Sequence, residues 1–184
     1  MRSIGKRIAI TGGAAEGKSV VLRYVSEQGF RTISADEVVR ELWSLPETRL
    51  DVSRILGLSS DFTREELRTK AFSDHSARRK LNAYFHVPVM DILGDNEAEF
   101  HEVPLLIETC CHTLYDEVWV VYSGEEAQRA RLSERGLPRE TVDQILSVQF
   151  PAEVRIAFAH RVIRTNSSLR DVYEQVEDCL ESIS

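Results

Sequence analysis

The chain has 184 residues, 42% of them apolar and 29% charged, and its net charge at pH 7 is −7. This length allows one globular domain with a buried core, whereas the acidic balance argues against general nucleic-acid binding, which needs a basic surface. Its three cysteines have no zinc-site or disulfide spacing, no apolar run is long enough for a membrane span, and no secretory segment is recognisable, so we expect a cytoplasmic protein.

The first predicted strand covers residues 7–11 and runs into Gly-x-x-x-x-Gly-Lys-Ser at residues 12–19. Between a strand and a helix predicted to begin at Lys18, this spacing is typical of a P-loop, whose main-chain N–H groups surround a phosphate. Lys18 would neutralise the outer phosphates of ATP, and the Ser19 hydroxyl would bind Mg²⁺. The rest of the cradle would be Gly13, Ala14, Ala15, Glu16 and Gly17. The alternative is a glycine-rich turn that binds nothing.

A second strand is predicted at residues 30–34, and Ser34-Ala-Asp-Glu37 matches the capping box of a following helix. Asp36 then falls at the carboxyl end of this strand, which we expect beside the phosphate loop. A carboxylate there would take the proton of an acceptor hydroxyl, or would only complement the helix dipole. Arg40, one turn further on, would bind an anionic acceptor or pair with a neighbouring carboxylate.

Residues 46–98 are predicted to be helical, with no convincing strand. Thr63-Arg-Glu-Glu66 matches a second capping box, and a long helix is expected over residues 76–93. This is too much helix for a plain crossover between two strands. We therefore predict a helical insertion that holds the acceptor substrate.

Three more strands are predicted at residues 99–105, 117–122 and 161–164. Helices are predicted at residues 125–134, 139–148, 152–159 and 168–183. The alternation of strand and helix implies an α/β fold of the P-loop kinase type, a mainly parallel five-stranded sheet with helices on both faces. Apart from its insertion, we expect a single kinase domain over residues 1–184.

Residues 125–150 are rich in arginine: Arg129, Arg131, Arg135 and Arg139. Because phosphoryl transfer depends on charge neutralisation, such a segment would form a lid over the transferring phosphate, and a solvated helix face is the other interpretation. The guanine-recognition and switch motifs of a GTPase are missing, and motor ATPases are generally larger. The sequence therefore favours a kinase for a small acceptor.

Several motifs together resemble the dephospho-CoA kinases, in order along nearly the whole chain. They are Ile10-Thr-Gly-Gly-x-x-x-Gly-Lys-Ser19, Ser34-Ala-Asp36-x-x-x-Arg40, Phe72, Leu81-Asn-Ala-x-x-His86, Val103-Pro-Leu-Leu-Ile-Glu108, Gln128-x-x-Arg131-x-x-x-Arg135, Gln144-Ile-Leu-x-x-Gln149, Arg155 and Ala159-x-x-Val-Ile163-x-x-Asn166. Pro-Leu-Leu-x-Glu after a strand discriminates best, because generic nucleotide kinases lack it.

This resemblance implies transfer of the ATP γ-phosphate to the ribose 3′-hydroxyl of dephospho-CoA, the last step of coenzyme A synthesis. It also implies that Asp36 is the catalytic base, that Arg131 neutralises the transferring phosphoryl group, that Arg135 assists at the ATP phosphates, and that Asn166 lies near the adenine. The implied acceptor site consists of Asp36, Arg40, Phe72, His86, Pro104, Leu105 and Glu108. Structural alternatives also exist for four of these residues: His86 would be a capped or core histidine, Pro104 the end of a strand, Leu105 a core residue and Asn166 a turn residue. Glu102 and Glu108 are both candidate carboxylates for Mg²⁺.

The chain departs from the family pattern inside the phosphate loop. Ala15 replaces a glycine, which is tolerable if residue 15 avoids a positive φ. Glu16 places a carboxylate beside the phosphates and should weaken ATP binding, unless it faces solvent or pairs with an arginine. Ser34 replaces an aspartate. We expect an active but divergent enzyme, monomeric or weakly homo-oligomeric. The alternatives are a P-loop kinase for another nucleoside or nucleotide, and an ATP-binding module that has lost catalysis.

Overall fold

A computed structural model describes residues 5–183, apart from the side chain of Phe72. The predicted contact of Phe72 with the acceptor therefore lies outside the described residues. The chain divides into two compact units, the first formed by the residues up to Ser34 and from Glu97 onward, the second by Ala35–Asn96.

The described part of the first unit is built on a parallel sheet of five strands in the order β2-β3-β1-β4-β5. The strands are β1 (Ile8–Thr11), β2 (Thr32–Ser34), β3 (Phe100–Glu102), β4 (Glu117–Tyr122) and β5 (Arg161–Arg164). The predicted parallel five-stranded sheet is confirmed. β3 is shorter than predicted, because it ends at Glu102 and the chain enters a turn from Pro104 onward, in which Leu105 has φ +57°.

Helices connect and cover these strands. Those of the first unit are α1 (Lys18–Glu27), α6 (Glu125–Glu134), α7 (Arg139–Ser147), α8 (Ala152–Ala157) and α9 (Leu169–Glu181), with a 3₁₀ turn at Cys111–Leu114. The capping box at Ser168 begins α9, since Ser168 Oγ accepts from Asp171 N at 3.2 Å. α8 ends earlier than predicted because Ala159 N bonds to Ile156 O in a tighter three-residue turn.

An apolar core of the first unit joins the sheet to α1 and α9. The rings of Phe30, Phe100 and Trp119 form consecutive edge-to-face contacts, with centroids 5.3 and 5.2 Å apart. Val25 of α1 and Val176 of α9 are fully buried in the same cluster. Burial of this kind contributes roughly 1.5–3 kcal/mol for each large apolar side chain. The core therefore gives β1 and α1, which flank the predicted phosphate loop, a firm support.

The described residues of the second unit form helices and connecting turns. The helices are α2 (Ala35–Ser44), α3 (Pro46–Leu56), α4 (Arg64–Ser73) and α5 (His75–Asp95). The predicted capping box before α4 is confirmed, because Thr63 Oγ1 accepts from Glu66 N at 3.1 Å and Glu66 Oε2 accepts from Thr63 N at 2.6 Å. This unit begins at α2 rather than at residue 46, since Trp43 packs its ring on Phe85 of α5 at 5.1 Å.

The helices described in residues 5–183 include none with both the length and the hydropathy needed to cross a membrane.

Candidate active site

The loop of residues 12–19 leaves the carboxyl end of β1, which pairs with β3 on one side and with β4 on the other. Because all pairs are parallel, the carboxyl ends of the strands meet at one edge of the sheet. The expectation that the end of β2 lies beside the loop is wrong in one respect: β3 separates β2 from β1. The carboxylate at the neighbouring strand end is Glu102 of β3.

Two glycines of the loop occupy places that disfavour a side chain, Gly12 through a direct clash and Gly17 through its positive φ and a tight contact. A Cβ at Gly12 would lie 2.4 Å from Val121 O in β4. Gly17 has φ +93° just before α1, and a Cβ there would meet the side chain of Thr165 at 3.3 Å. The predicted phosphate loop is therefore closely enclosed by β4 and by the residues after β5.

On the sequence alone, Ala15 is tolerable only if it avoids a positive φ, and this condition is not met. Its φ is +57°, a conformation that costs roughly 1–2 kcal/mol for a residue with a Cβ. Side chains hold the backbone around it: Arg131 Nη1 donates to Ala15 O at 3.0 Å, and Gln128 Nε2 donates to Ala14 O at 3.0 Å. Gln149 Oε1 accepts from Ala14 N at 2.8 Å. The strained conformation is thus fixed from several directions.

Three residues that hold the backbone of the loop, namely Gln128, Gln149 and Thr165, were not assigned a site role from sequence. Gln128 and Gln149 belong to the motifs that carry the family resemblance, which was the available signal. Thr165, whose hydroxyl donates to Glu16 O at 2.6 Å, directly precedes Asn166. A side-chain contact with loop backbone cannot be read from residue type alone.

Glu16 meets one of the two conditions set for it, because it pairs with an arginine. Its side chain is fully buried, and Glu16 Oε2 accepts from Arg155 Nη1 at 3.0 Å and also from Gly13 N. The partner belongs to α8 and not to the arginine-rich segment of residues 125–150. The pair neutralises the carboxylate that was expected to repel phosphates.

Lys18 and Ser19 lie at the start of α1. Lys18 Nζ donates to Gly12 O at 3.1 Å and to Gly13 O at 2.8 Å, so the ammonium group lies over the loop. Ser19 Oγ donates to Glu102 Oε1 at 3.2 Å. A hydroxyl and a carboxylate are the hard oxygen ligands that Mg²⁺ takes in nucleotide sites, where phosphates and water complete its shell. The residues present therefore fit this ion.

The other candidate carboxylate for Mg²⁺ has a different partner. Glu108 Oε1 accepts from Phe150 N at 2.9 Å, which ties the turn after β3 to the chain just before α8. In the same turn Leu105 is 37% exposed with φ +57°, whereas Leu106 is fully buried. The predicted acceptor site at Pro104, Leu105 and Glu108 thus contains one apolar side chain that the core does not use.

The arginines of the predicted lid differ in their surroundings. Arg131 Nη2 donates to Thr165 O at 2.5 Å, in addition to the Ala15 bond. Arg129 bridges α6 and α7 through Glu125 at 2.8 Å and Asp143 at 2.5 Å, and hydrogen bonds to Asp143 and Glu125 raise its pKa. Arg135 and Asn166 are exposed. Arg131 is thus beside the loop, whereas Arg129 joins two helices.

An open cavity of about 460 Å³ lies among α6, α7 and α8, and the chain before α8 contributes to its wall. Gln128, Gln149 and Arg155 form part of its lining. A Cβ at Gly13 would meet these same three side chains at 2.4–2.5 Å. The cavity is therefore bounded by the groups that support the phosphate loop.

The second unit carries the remaining predicted residues. Asp36 and Arg40 lie one turn apart on α2, and both are exposed. His86 is exposed on α5. Because its side chain is exposed, His86 is not a core residue.

Comparison with known proteins gives consistent matches over nearly the full length. The family model for dephospho-CoA kinase matches residues 6–171. A dephospho-CoA kinase of Fusobacterium nucleatum is 30% identical, with 96% of this chain and 97% of that protein covered. A crystal structure from Thermus thermophilus has 25% identity and a TM-score of 0.80, covering 97% and 98%. The dephospho-CoA kinase structure from Campylobacter jejuni, with 22% identity and a TM-score of 0.61 over 99% of both chains, has the same fold.

Proposed function

The chain belongs to the dephospho-CoA kinase family, and from that premise we propose that it transfers the γ-phosphate of ATP to the ribose 3′-hydroxyl of dephospho-CoA, the last step of coenzyme A synthesis. The observation that carries this proposal is the loop of residues 12–19, with Lys18 over its carbonyls and Ser19 bonded to Glu102. That arrangement supports binding of a triphosphate with its metal at the end of β1.

Charge neutralisation and positioning are the main tasks of the protein in phosphoryl transfer. Lys18 would attract the outer phosphates, and Arg131, held beside the loop by Ala15 and Thr165, would stabilise charge on the transferring group. Arg135 would assist at the phosphates and Asn166 would lie near the adenine. Because none of these side chains reacts covalently, each would act by holding the nucleotide.

Magnesium would be held by Ser19 and Glu102, whose oxygens lie 3.2 Å apart. When bound, the ion neutralises phosphate charge and orients the β- and γ-phosphates. Glu108 is less suited to the ion, because its carboxylate accepts from Phe150 N. We assign the metal carboxylate to Glu102 on this difference.

Asp36 would accept the proton of the acceptor hydroxyl, since a catalytic carboxylate must be within hydrogen-bond reach of that proton. Arg40, one turn away on the same helix, would bind an anionic group of dephospho-CoA. His86, Phe72 and the turn at Pro104–Glu108 would line the acceptor. The exposure of Leu105 supports this role, because an apolar side chain in a strained turn is more easily explained by a ligand than by packing.

The reaction would take place in the cytoplasm, where ATP is made available and where cysteines stay reduced. Cys110, Cys111 and Cys179 are all free thiols, in agreement with a reducing compartment. We propose a monomer or weak homo-oligomer that needs ATP and Mg²⁺ and no nucleic acid.

The direct test is to incubate purified protein with ATP, Mg²⁺ and dephospho-CoA, and to locate the new phosphate by ³¹P and ¹H NMR. Adenosine and AMP serve as competing acceptors in a coupled assay of ADP release. We expect phosphate on the ribose 3′-hydroxyl and the highest kcat/KM with dephospho-CoA. A better kcat/KM with adenosine or AMP would assign another kinase activity, and ATP binding without turnover of any acceptor would support the lapsed module.

A further inference from the structure

Glu16 and Arg155 form an ion pair that is buried on both sides. Their side chains are 0% and 5% exposed, and Arg155 Nη1 lies 3.0 Å from Glu16 Oε2. By contrast, the Arg31–Glu99 pair of the same unit leaves its arginine 33% exposed. Removing two charges from water costs several kcal/mol for each ion before their attraction is counted. Such a pair is therefore poor evidence for stability and calls for another explanation.

The contacts of residue 16 show what the pair does to the loop. Glu16 Oε2 accepts from Gly13 N as well as from Arg155, so the side chain closes the loop onto a residue three positions earlier. At the same residue, the main-chain carbonyl accepts from Thr165 Oγ1 at 2.6 Å. Residue 16 is thus fixed at its side chain from α8 and at its backbone from the end of β5.

Arg155 also fills the space behind the loop. Its Nη1 atom lies 2.5 Å from the position that a Cβ on Gly13 would occupy, so a side chain there would displace the guanidinium group. The fit between Gly13 and Arg155 is therefore steric as well as electrostatic. Because the two charges cancel, the carboxylate inside the loop adds no net repulsion toward a bound phosphate.

We propose that Glu16 and Arg155 are positioning residues that hold the phosphate loop in its ATP-binding shape before the nucleotide arrives. The inference rests on the proposed function only in taking ATP as the nucleotide. A loop whose shape is set in advance does not lose conformational freedom on binding, so the pair contributes to nucleotide affinity without touching phosphate. Its effect falls on ATP binding and not on the acceptor.

The test compares Glu16→Gln, Arg155→Met and the double variant by calorimetric titration with ATP, followed by steady-state kinetics. Each single change leaves one buried charge without its partner and should weaken ATP binding about tenfold, which corresponds to about 1.4 kcal/mol. The KM for the acceptor should stay within about twofold. The double variant, which is neutral again and keeps an amide oxygen for Gly13 N, should bind ATP more tightly than either single variant.

Glu99→Gln is the matched control, because Glu99 is also a buried carboxylate bonded to an arginine, at 3.4 Å, and lies outside the loop. It should lower the unfolding free energy and leave the ATP dissociation constant unchanged. If Arg155→Met does not fold, Arg155→Lys keeps the charge and should retain most of the affinity.

Three results would overturn the inference. The first is that Glu16→Gln binds ATP as tightly as the wild type or more tightly, which would make the carboxylate only a repulsive charge that Arg155 cancels. The second is that the loop variants and Glu99→Gln have the same effect on ATP affinity. The third is that the wild type binds no ATP. Since the titration needs no acceptor, failure to phosphorylate dephospho-CoA would contradict the proposed function and leave this inference standing.

Discussion

The Ser19 hydroxyl donates to Glu102 Oε1 at 3.2 Å, and this bond joins the first turn of α1 to the last residue of β3. Glu102 is 4% exposed, so the position of its carboxylate is set by the surrounding protein and not by contact with solvent. Because β3 lies next to β1, this contact supports our proposal that Glu102, and not Glu108, is the carboxylate for Mg²⁺.

Replacing Glu102 by Gln should therefore raise the Mg²⁺ concentration needed for half-maximal activity and lower kcat, by about tenfold to a hundredfold. The amide keeps the size of the side chain but supplies no charge to the ion. Titration of activity with Mg²⁺ at saturating ATP measures both effects. Glu108→Gln serves as the comparison, and an equal shift in that variant would return Glu108 to consideration.

Asp36→Asn should lower kcat by about 10²–10⁴-fold, the usual range for loss of a general base. ATP affinity should change little, since Asp36 is assigned to the acceptor proton. Stopped-flow or coupled kinetics with dephospho-CoA would measure the effect. Glu37→Gln changes the neighbouring exposed carboxylate and should leave kcat unchanged, whereas full activity of Asp36→Asn would remove Asp36 from the base role.

Ala15→Gly should stabilise the protein by about 1 kcal/mol, because glycine adopts φ near +57° without the strain of a Cβ. Urea denaturation followed by circular dichroism gives the unfolding free energy. Ala14→Gly is the matched control: Ala14 has no positive φ, so the added freedom of the unfolded chain should make that variant less stable. Equal effects in the two variants would contradict the argument.

Gln149→Ala removes the acceptor from Ala14 N, a half-buried donor; a fully buried donor left without a partner would cost about 1–3 kcal/mol, so the cost here is at most of that size. We expect weaker ATP binding by about tenfold, since the loop backbone loses one of its supports. Gln144→Ala, on the exposed side of α7, should bind ATP normally. The prediction fails if the two variants cannot be distinguished by calorimetry.

Burial of His101 in β3 lowers its pKa from the usual value near 6.5, so the folded state takes up a proton less readily than the unfolded chain. Its stabilising effect is therefore complete above pH 6.5 and is lost as the pH falls below that value. The unfolding free energy should decrease from pH 7.5 to about pH 5.5, by at most about 1.4 kcal/mol per pH unit for one proton. Urea titrations should show a smaller decrease in His101→Gln, with the exposed His75→Gln as control.

The sequence was sufficient for those features that depend on local pattern. The phosphate loop at residues 12–19, the capping box at Thr63, the start of α9 after Ser168 and the long helix α5 were all predictable, because each is set by residues close together in the chain. Repetition of strand and helix also predicted the parallel sheet. Local chemistry and chain alternation thus determined most of the architecture.

Features that depend on distant residues were not predictable in the same way. Glu16 and Arg155 are 139 positions apart, and no rule of spacing predicts that they pair. The place of β3 between β2 and β1 depends on how the strands assemble. An alanine disfavours a positive φ. Ala15 nevertheless adopts one, because Arg131, Gln128 and Gln149 form hydrogen bonds with the backbone of residues 14 and 15.

The central position of β1 in the sheet determines how the first unit unfolds. All four of its residues are buried and pair with β4, and residues 8–10 also pair with β3. Amide protons of Ile8–Thr11 should therefore exchange with deuterium only when the whole first unit opens, whereas edge strands and helix ends exchange through smaller fluctuations. Partly denatured molecules in which β1 is still paired keep the strand that leads into the loop of residues 12–19, so that the nucleotide site can refold from it.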